Sequence, residues 1–193
     1  MEVIDIALEI NMLAQVLQDA DIGTLLLDLL TEKEEEVDLQ TRHLRFDIGL
    51  RAKRLIEATD WLKEQQNSNI KDLNIGYFGA STGAAAALVA VAEHQKIVKD
   101  GVSRGGRPDL AGSANLSKVQ ASTLLIIGGN DEPVIGINKE AFEQLTSLES
   151  NKKVNNHSRC WYEVQHLNRK DHFTFTMHCY YMKHKLLFIL THC

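Results

Sequence analysis

The chain is poor in proline and cysteine: of 193 residues, only Pro108 and Pro133, and Cys160, Cys179 and Cys193, are of these types. Both prolines fall in motif-like loops. The cysteine count is odd and no C-x-x-C pair occurs, so a disulfide scaffold is excluded and reduced thiols in a cytoplasmic protein are expected. The N-terminus "MEVIDIALEINMLAQ" carries acids and no basic segment, so no secretion signal is expected. No run of about 18 apolar residues exists, so no membrane span is expected. Basic excess is absent too: the net charge of -5 argues against a nucleic-acid surface. There is no H-E-x-x-H and no ligand cluster at zinc spacing, so neither metal nor cofactor is expected.

What is present is an ordinary globular balance, 44% apolar and 24% charged, in a chain long enough for one domain with a sizeable core. Ile4 to Ala20 has helical apolar spacing, and "TLLLDLL" (Thr24 to Leu30) reads as a short buried strand. The acidic run from Thr31 to Asp38 reads as a solvated loop or helix start. Phe46 to Gln65 is helical again, "LNIGYF" (Leu73 to Phe78) a strand, and Thr82 to Glu93 a helix of small residues suited to close packing on a sheet. A weak strand at Lys96 to Val102, a Gly-rich loop, a clear buried strand at Ser122 to Gly129 and a helix at Asn138 to Ser147 follow. Strands alternating with helices predict an α/β fold with a mostly parallel sheet and flanking helices. On that reading Thr24–Leu30, Leu73–Phe78 and Ser122–Ile127 are neighbouring parallel strands. The alternation stops near Glu149, which divides the chain into a core, 1–149, and a divergent tail, 150–193. The tail holds six of the eight histidines and all three cysteines.

Gly79-Ala80-Ser81-Thr82-Gly83 is a G-x-S-x-G pattern between a strand and an Ala-rich helix. A serine hydroxyl is a weak nucleophile near neutral pH and needs a base and oxyanion donors. Small residues on either side of Ser81 permit a tight turn that lifts its hydroxyl above the sheet and aims the Thr82 amide at a developing oxyanion. The bland alternative is a plain Gly-rich turn. A buried strand then ends in Gly128-Gly129-Asn130-Asp131-Glu132-Pro133. Asp131, 50 residues after Ser81 with one strand–helix unit between, stands in the order serine then acid. Its alternative is an aspartate in a polar turn before a proline.

Several separated blocks agree with one family in order and spacing: "VLQDADIGTLLLDLLTEKEEEVD", "RFDIG", "ATDWL", "GYFGASTGAAAAL", "VSRGGRPDLAG" and "TLLIIGGNDEPV". Over about Ala14 to Leu148 the chain resembles the dienelactone-hydrolase-like family of α/β-hydrolases, including the form fused to phosphoribosyltransferases. The resemblance implies Ser81 as nucleophile, Asp131 as acid and the Thr82 amide as oxyanion donor, acting on a small ester or lactone through an acyl-serine. It also suggests that Arg104 and Arg107 lie near the top of the sheet, although a Gly/Pro-held loop with solvated arginines explains them equally.

Two departures accompany the resemblance. The family begins with further strands and a His-Gly-x-Gly-like loop that gives a second oxyanion donor, and nothing of that kind precedes Ala14. The family's Pro-Gly-Ala-x-His block, which brings the base, is replaced by "NKKVNNHSRCWYEV", with Tyr162 about where the histidine is expected. Read one base later, with permitted synonymous codons, Lys152 to Trp161 spells Lys-Lys-Leu-Ile-Ile-Ile-Pro-Gly-Ala-Gly. A shifted frame from about Asn151 is therefore expected, and the coding DNA decides it: bases unable to spell that string end the idea. In the frame as given, His157, His166 and His172 are the candidate bases. The expectation is a serine hydrolase scaffold with impaired turnover. A non-catalytic remnant or a binding module on the same scaffold is the alternative. An unprotected sheet edge beside Thr24–Leu30 is expected to favour self-association.

Overall fold

A computed structural model describes residues 3–65, 70, 72–146, 161–165 and 186–191. Apolar side chains at helical intervals bury one face of helix α1 (Val3–Asp19) through Ile10, Ala14 and Leu17. Strand β1 (Gly23–Leu26) follows, then α2 (Glu32–Thr41), a 3₁₀ turn (Leu44–Phe46) and α3 (Ile48–Glu64). Strand β2 (Asn74–Ala80) leads through Ser81 into α4 (Thr82–Glu93), and β3 (Val98–Arg104) leads into a second 3₁₀ turn (Pro108–Ala111) and the short α5 (Ser113–Leu116). β4 (Ser122–Gly128), α6 (Glu132–Thr146), β5 (Trp161–Gln165) and β6 (Leu186–Thr191) complete the order.

The six strands form one sheet in the order β1-β6-β2-β3-β4-β5, and every neighbouring pair is parallel. Successive side chains on a strand point to opposite faces, and the two cores follow that alternation. Tyr77, Leu125 and Ile127 join Leu55 of α3 and the alanines of α4 in one cluster. Phe78, Val102 and Ile126 join Ile10, Ala14 and Leu17 of α1 in the other. α4 lies so close to the sheet that every residue from Thr82 to Ala92 is buried, which its small side chains permit.

Three expectations are corrected. The segments Thr24–Leu30, Leu73–Phe78 and Ser122–Ile127 share one parallel sheet but are not neighbours. The tail strand β6 lies between β1 and β2, and β3 lies between β2 and β4. β6 fits there because its Phe188 ring covers Gly76 of β2, where an added Cβ would come within 2.6 Å of it. β1 is also shorter than expected: it ends at Leu26, Leu27 N–H makes a last bond to the Leu190 carbonyl of β6 at 3.1 Å, and the chain then turns Leu29 into the core. α6 begins six residues before Asn138, at Glu132, because Pro133 in a first helical turn loses no hydrogen bond. Among the described residues β1 has a strand on one side only.

The acidic run forms α2 outright. Thr31 and Glu34 make a capping box, with Thr31 N–H donating to the Glu34 carboxylate at 2.8 Å and Glu34 N–H to Thr31 Oγ1 at 3.4 Å. Arg54 of α3 grips the same carboxylate with two bonds of 2.7 Å and donates to the Leu29 carbonyl at 2.6 Å. These bonds, Arg54 first and the Thr31 amide next, push the Glu34 carboxyl down from 4.5 to about 2. A depressed acid stabilises the fold fully above its unfolded value and loses that contribution as pH falls through the folded one. Stability is therefore expected to fall between about pH 4.5 and 2 through this group. Glu34→Gln should flatten that part of the curve, as read by denaturant midpoints across the acid range.

Candidate active site

Ser81 is held in an unusual backbone conformation, φ 50 and ψ -124, between the last residue of β2 and the first of α4. A non-glycine residue at positive φ costs about 1–3 kcal/mol and persists only where its surroundings enforce it. The enforcing contacts are on both sides of the serine. Its N–H donates to the Arg104 carbonyl at 3.3 Å, and its carbonyl accepts from Arg107 N–H at 3.1 Å and from Ala84 N–H at 3.3 Å. Gly79 makes the turn sterically possible: a Cβ there would sit 2.6 Å from Ala84 Cα, Ala84 N and the Gly83 carbonyl oxygen. The Ser81 side chain makes no capping bond to α4 and is exposed, whereas Thr82 is buried. This is the strand–turn–helix geometry that the G-x-S-x-G spacing calls for.

The loop after β3 joins this turn to the next strand. Gly105 N–H donates to the Ile126 carbonyl at 2.7 Å, and the Asn138 side-chain amide donates to the Gly106 carbonyl at 3.0 Å. Gly106 has to be glycine, since a Cβ would collide with Ser103 Oγ and lie 2.7 Å from Ala84 Cβ. The same loop therefore clasps Ser81 on one side and β4 and α6 on the other.

Asp131 lies just past β4. Its N–H donates to the Gly128 carbonyl at 3.1 Å, and its carboxylate accepts from Val134 N–H at 3.4 Å at the start of α6. Ala80 is level with Arg104, and Arg104 with Ile126. Ser81 and Asp131 thus leave the same, carboxyl end of the sheet with one strand between their own, a spacing of roughly 10 Å. The side chain of Arg107 is engaged with Asp109 at 2.9 and 2.7 Å, so the loop arginine nearest the serine carbonyl is already committed. Arg104 serves the turn through its carbonyl oxygen.

His157, His166 and His172 lie outside the described residues. Of the described histidines, His94 bonds to Asp60 at 2.8 Å at the far end of α4, and His43 to Thr41 at 2.7 Å beyond α2. Thr191 of β6 is level with Gly79 and donates to the Phe78 carbonyl at 3.4 Å, so the tail strand ends beside the serine turn. Among the described residues no group of three His, Cys, Asp or Glu side chains is arranged for a metal ion, and no helix is long and apolar enough to cross a membrane.

Sequence reasoning missed Asn138 and Arg51. Arg51 occupies the buried face of α3 between Ile48 and Leu55, with only 1% of its surface exposed. The signal was available: a charged residue at an apolar position of a helical repeat.

A solved structure of dienelactone hydrolase from Anabaena variabilis matches with 53% identity and a TM-score of 0.59, over 71% of this chain and 58% of that one. The fold is therefore of the α/β-hydrolase type, as in that neighbour. Two proteins from two strains of Mycobacterium tuberculosis, each named "Putative phosphoribosyl transferase", are 52% identical over 128 residues, 66% of this chain. The chain spans only 27% of their length. A match confined to about a quarter of proteins so named agrees with the fused form to which the sequence blocks pointed. No protein-family model matches the sequence.

Proposed function

We propose that the chain is a serine hydrolase scaffold of the dienelactone-hydrolase type, built to open an ester or lactone through an acyl-serine, with slow turnover in this form. The observation that carries the reading is the enforced positive φ of Ser81 at the head of α4. In the reaction the Ser81 oxygen attacks the carbonyl carbon while a base takes its proton. The Thr82 amide, at the positive end of α4, receives the oxyanion. The C–O bond to the alcohol then breaks, the alcohol leaves with the proton, and water repeats the sequence on the acyl-serine. Asp131 orients the base from the end of β4.

The slow-turnover reading is supported by the sequence, in which Tyr162 falls about where the resemblance assigns the base, and Tyr162 pairs with Leu125 inside β5. A missing triad member costs several orders of magnitude in rate, and the residue comes from oxyanion donors and binding. Purified chain is expected to hydrolyse p-nitrophenyl acetate no faster than its Ser81→Ala variant. A clear Ser81-dependent rate, abolished by changing His157, His166 or His172, would refute the slow-turnover reading and name the base.

A further inference from the structure

Arg51 is the most buried charged residue of those described, and it reaches the residue that follows Ser81. Its guanidinium donates to the hydroxyl of Thr82, the residue that follows Ser81, and to the Arg45 carbonyl at 3.1 Å. Thr82 is itself 4% exposed, so the contact is dry. The Arg45 end is anchored in turn. Arg45 N–H and Nε donate to the buried Asp38 carboxylate at 3.0 and 2.6 Å. Burial works against the Asp38 carboxylate, yet those bonds outweigh it and hold the carboxyl below its ordinary value. An unbroken relay therefore runs from α2 through the 3₁₀ turn and α3 to the first residue of α4.

Placing a guanidinium in an apolar layer carries a desolvation cost, and hydrophobic residues of similar volume usually serve stability as well. Its neighbours Ile48, Ala52 and Leu55 on the same face show what that position ordinarily holds. The charge keeps its proton in a protein interior. It sits at the N-terminal end of α4, where the helix dipole already favours an anion.

We propose that Arg51 is a positioning residue for the serine turn: through its bond to Thr82 it fixes the oxyanion-donating amide and sets a positive charge behind Ser81. The inference rests on the reading of Ser81 as nucleophile but needs no turnover. Among the described residues, Arg104, the Arg107–Asp109 pair and Asp131 lie on the segments leading from the neighbouring strands, and the Arg45–Asp38 pair stands behind Arg51. None of these residues is altered in the Arg51 variants.

The test replaces the serine oxygen by a reporter that titrates. In Ser81→Cys the thiol becomes a thiolate whose pH of formation reads the local charge, and the ultraviolet absorbance difference from the parent chain removes the three native thiols. Arg51→Gln keeps a donor for Thr82 but removes the charge, whereas Arg51→Lys keeps the charge. In the Ser81→Cys background, Arg51→Gln should raise the thiol pKa by roughly one unit, a tenfold loss of thiolate at neutral pH, while Arg51→Lys leaves it nearly unchanged. Equal titrations for Arg, Gln and Lys would overturn the proposal, as would equal shifts for Gln and Lys. Should Arg51→Gln fail to fold, Thr82→Val releases the guanidinium from the turn and should raise the thiol pKa as well; no rise would overturn it. Absent esterase activity leaves this measurement standing, so the two readings fail separately.

Discussion

Gly79→Ala is expected to abolish a stable fold or to cost roughly 3–5 kcal/mol. The added methyl would lie 2.6 Å from three backbone atoms of Gly83 and Ala84. Backbone atoms in the first turn of a fully packed helix cannot swing aside as the end of a side chain can. Either the turn opens or α4 lifts from the sheet, and α4 buries eleven consecutive residues. A loss of that size takes a large share of the roughly 5–15 kcal/mol that holds a domain together. Gly136→Ala is the control. It lies within α6 with nothing within 4 Å of the added atom, so it should gain about 0.5–1 kcal/mol from helix propensity. Denaturant midpoints for the two variants should move in opposite directions; parallel shifts would contradict the packing account.

Ser81→Gly is expected to stabilise the chain by about 1–2 kcal/mol while removing the hydroxyl. Glycine adopts positive φ without steric cost, whereas serine at φ 50 stores strain. Ser81→Ala removes the same hydroxyl but retains a Cβ, so it keeps the strain and should leave stability close to the parent. The difference between the two variants isolates the backbone from the side chain. Equal midpoints for Ser81→Gly and Ser81→Ala would mean that the turn holds no strain.

Much of this arrangement is legible in the sequence because its signals are local. The run from Asn74 to Glu93 declares a buried strand, a glycine-flanked serine and a close-packed helix by composition alone, and the structure follows it to within a residue or two. Thr31-x-x-Glu34 likewise announces a helix start, and the acidic run that reads equally as a loop resolves into α2. What is not legible depends on contacts distant in sequence. Nothing in "LLFILT" says that it lies between β1 and β2, more than 100 residues earlier in the chain. Parallel pairing carries no turn to fix its partner, unlike a hairpin. The Arg51–Thr82 bond spans 31 residues and the Asn138–Gly106 bond 32, and neither has a motif. Asp131 is the intermediate case. Its place after a buried strand is readable, whereas its task of capping α6 became visible only when the helix proved to start at Glu132.

The central claim is that Ser81 is a properly placed nucleophile short of a base, and chemical rescue tests it most directly. The measurement is the rate at which a fluorophosphonate probe labels Ser81, with and without added imidazole, in the parent chain and in Ser81→Ala. Imidazole is the catalytic part of a histidine side chain and can enter from solvent, because Ser81 is exposed at the end of the sheet. The account predicts slow labelling of the parent chain, at Ser81 alone, rising at least tenfold with imidazole, since general-base assistance contributes about 10²–10⁴ in rate. It predicts no labelling of Ser81→Ala under either condition. Labelling that is fast without imidazole, or indifferent to it, or retained in Ser81→Ala, would contradict the account.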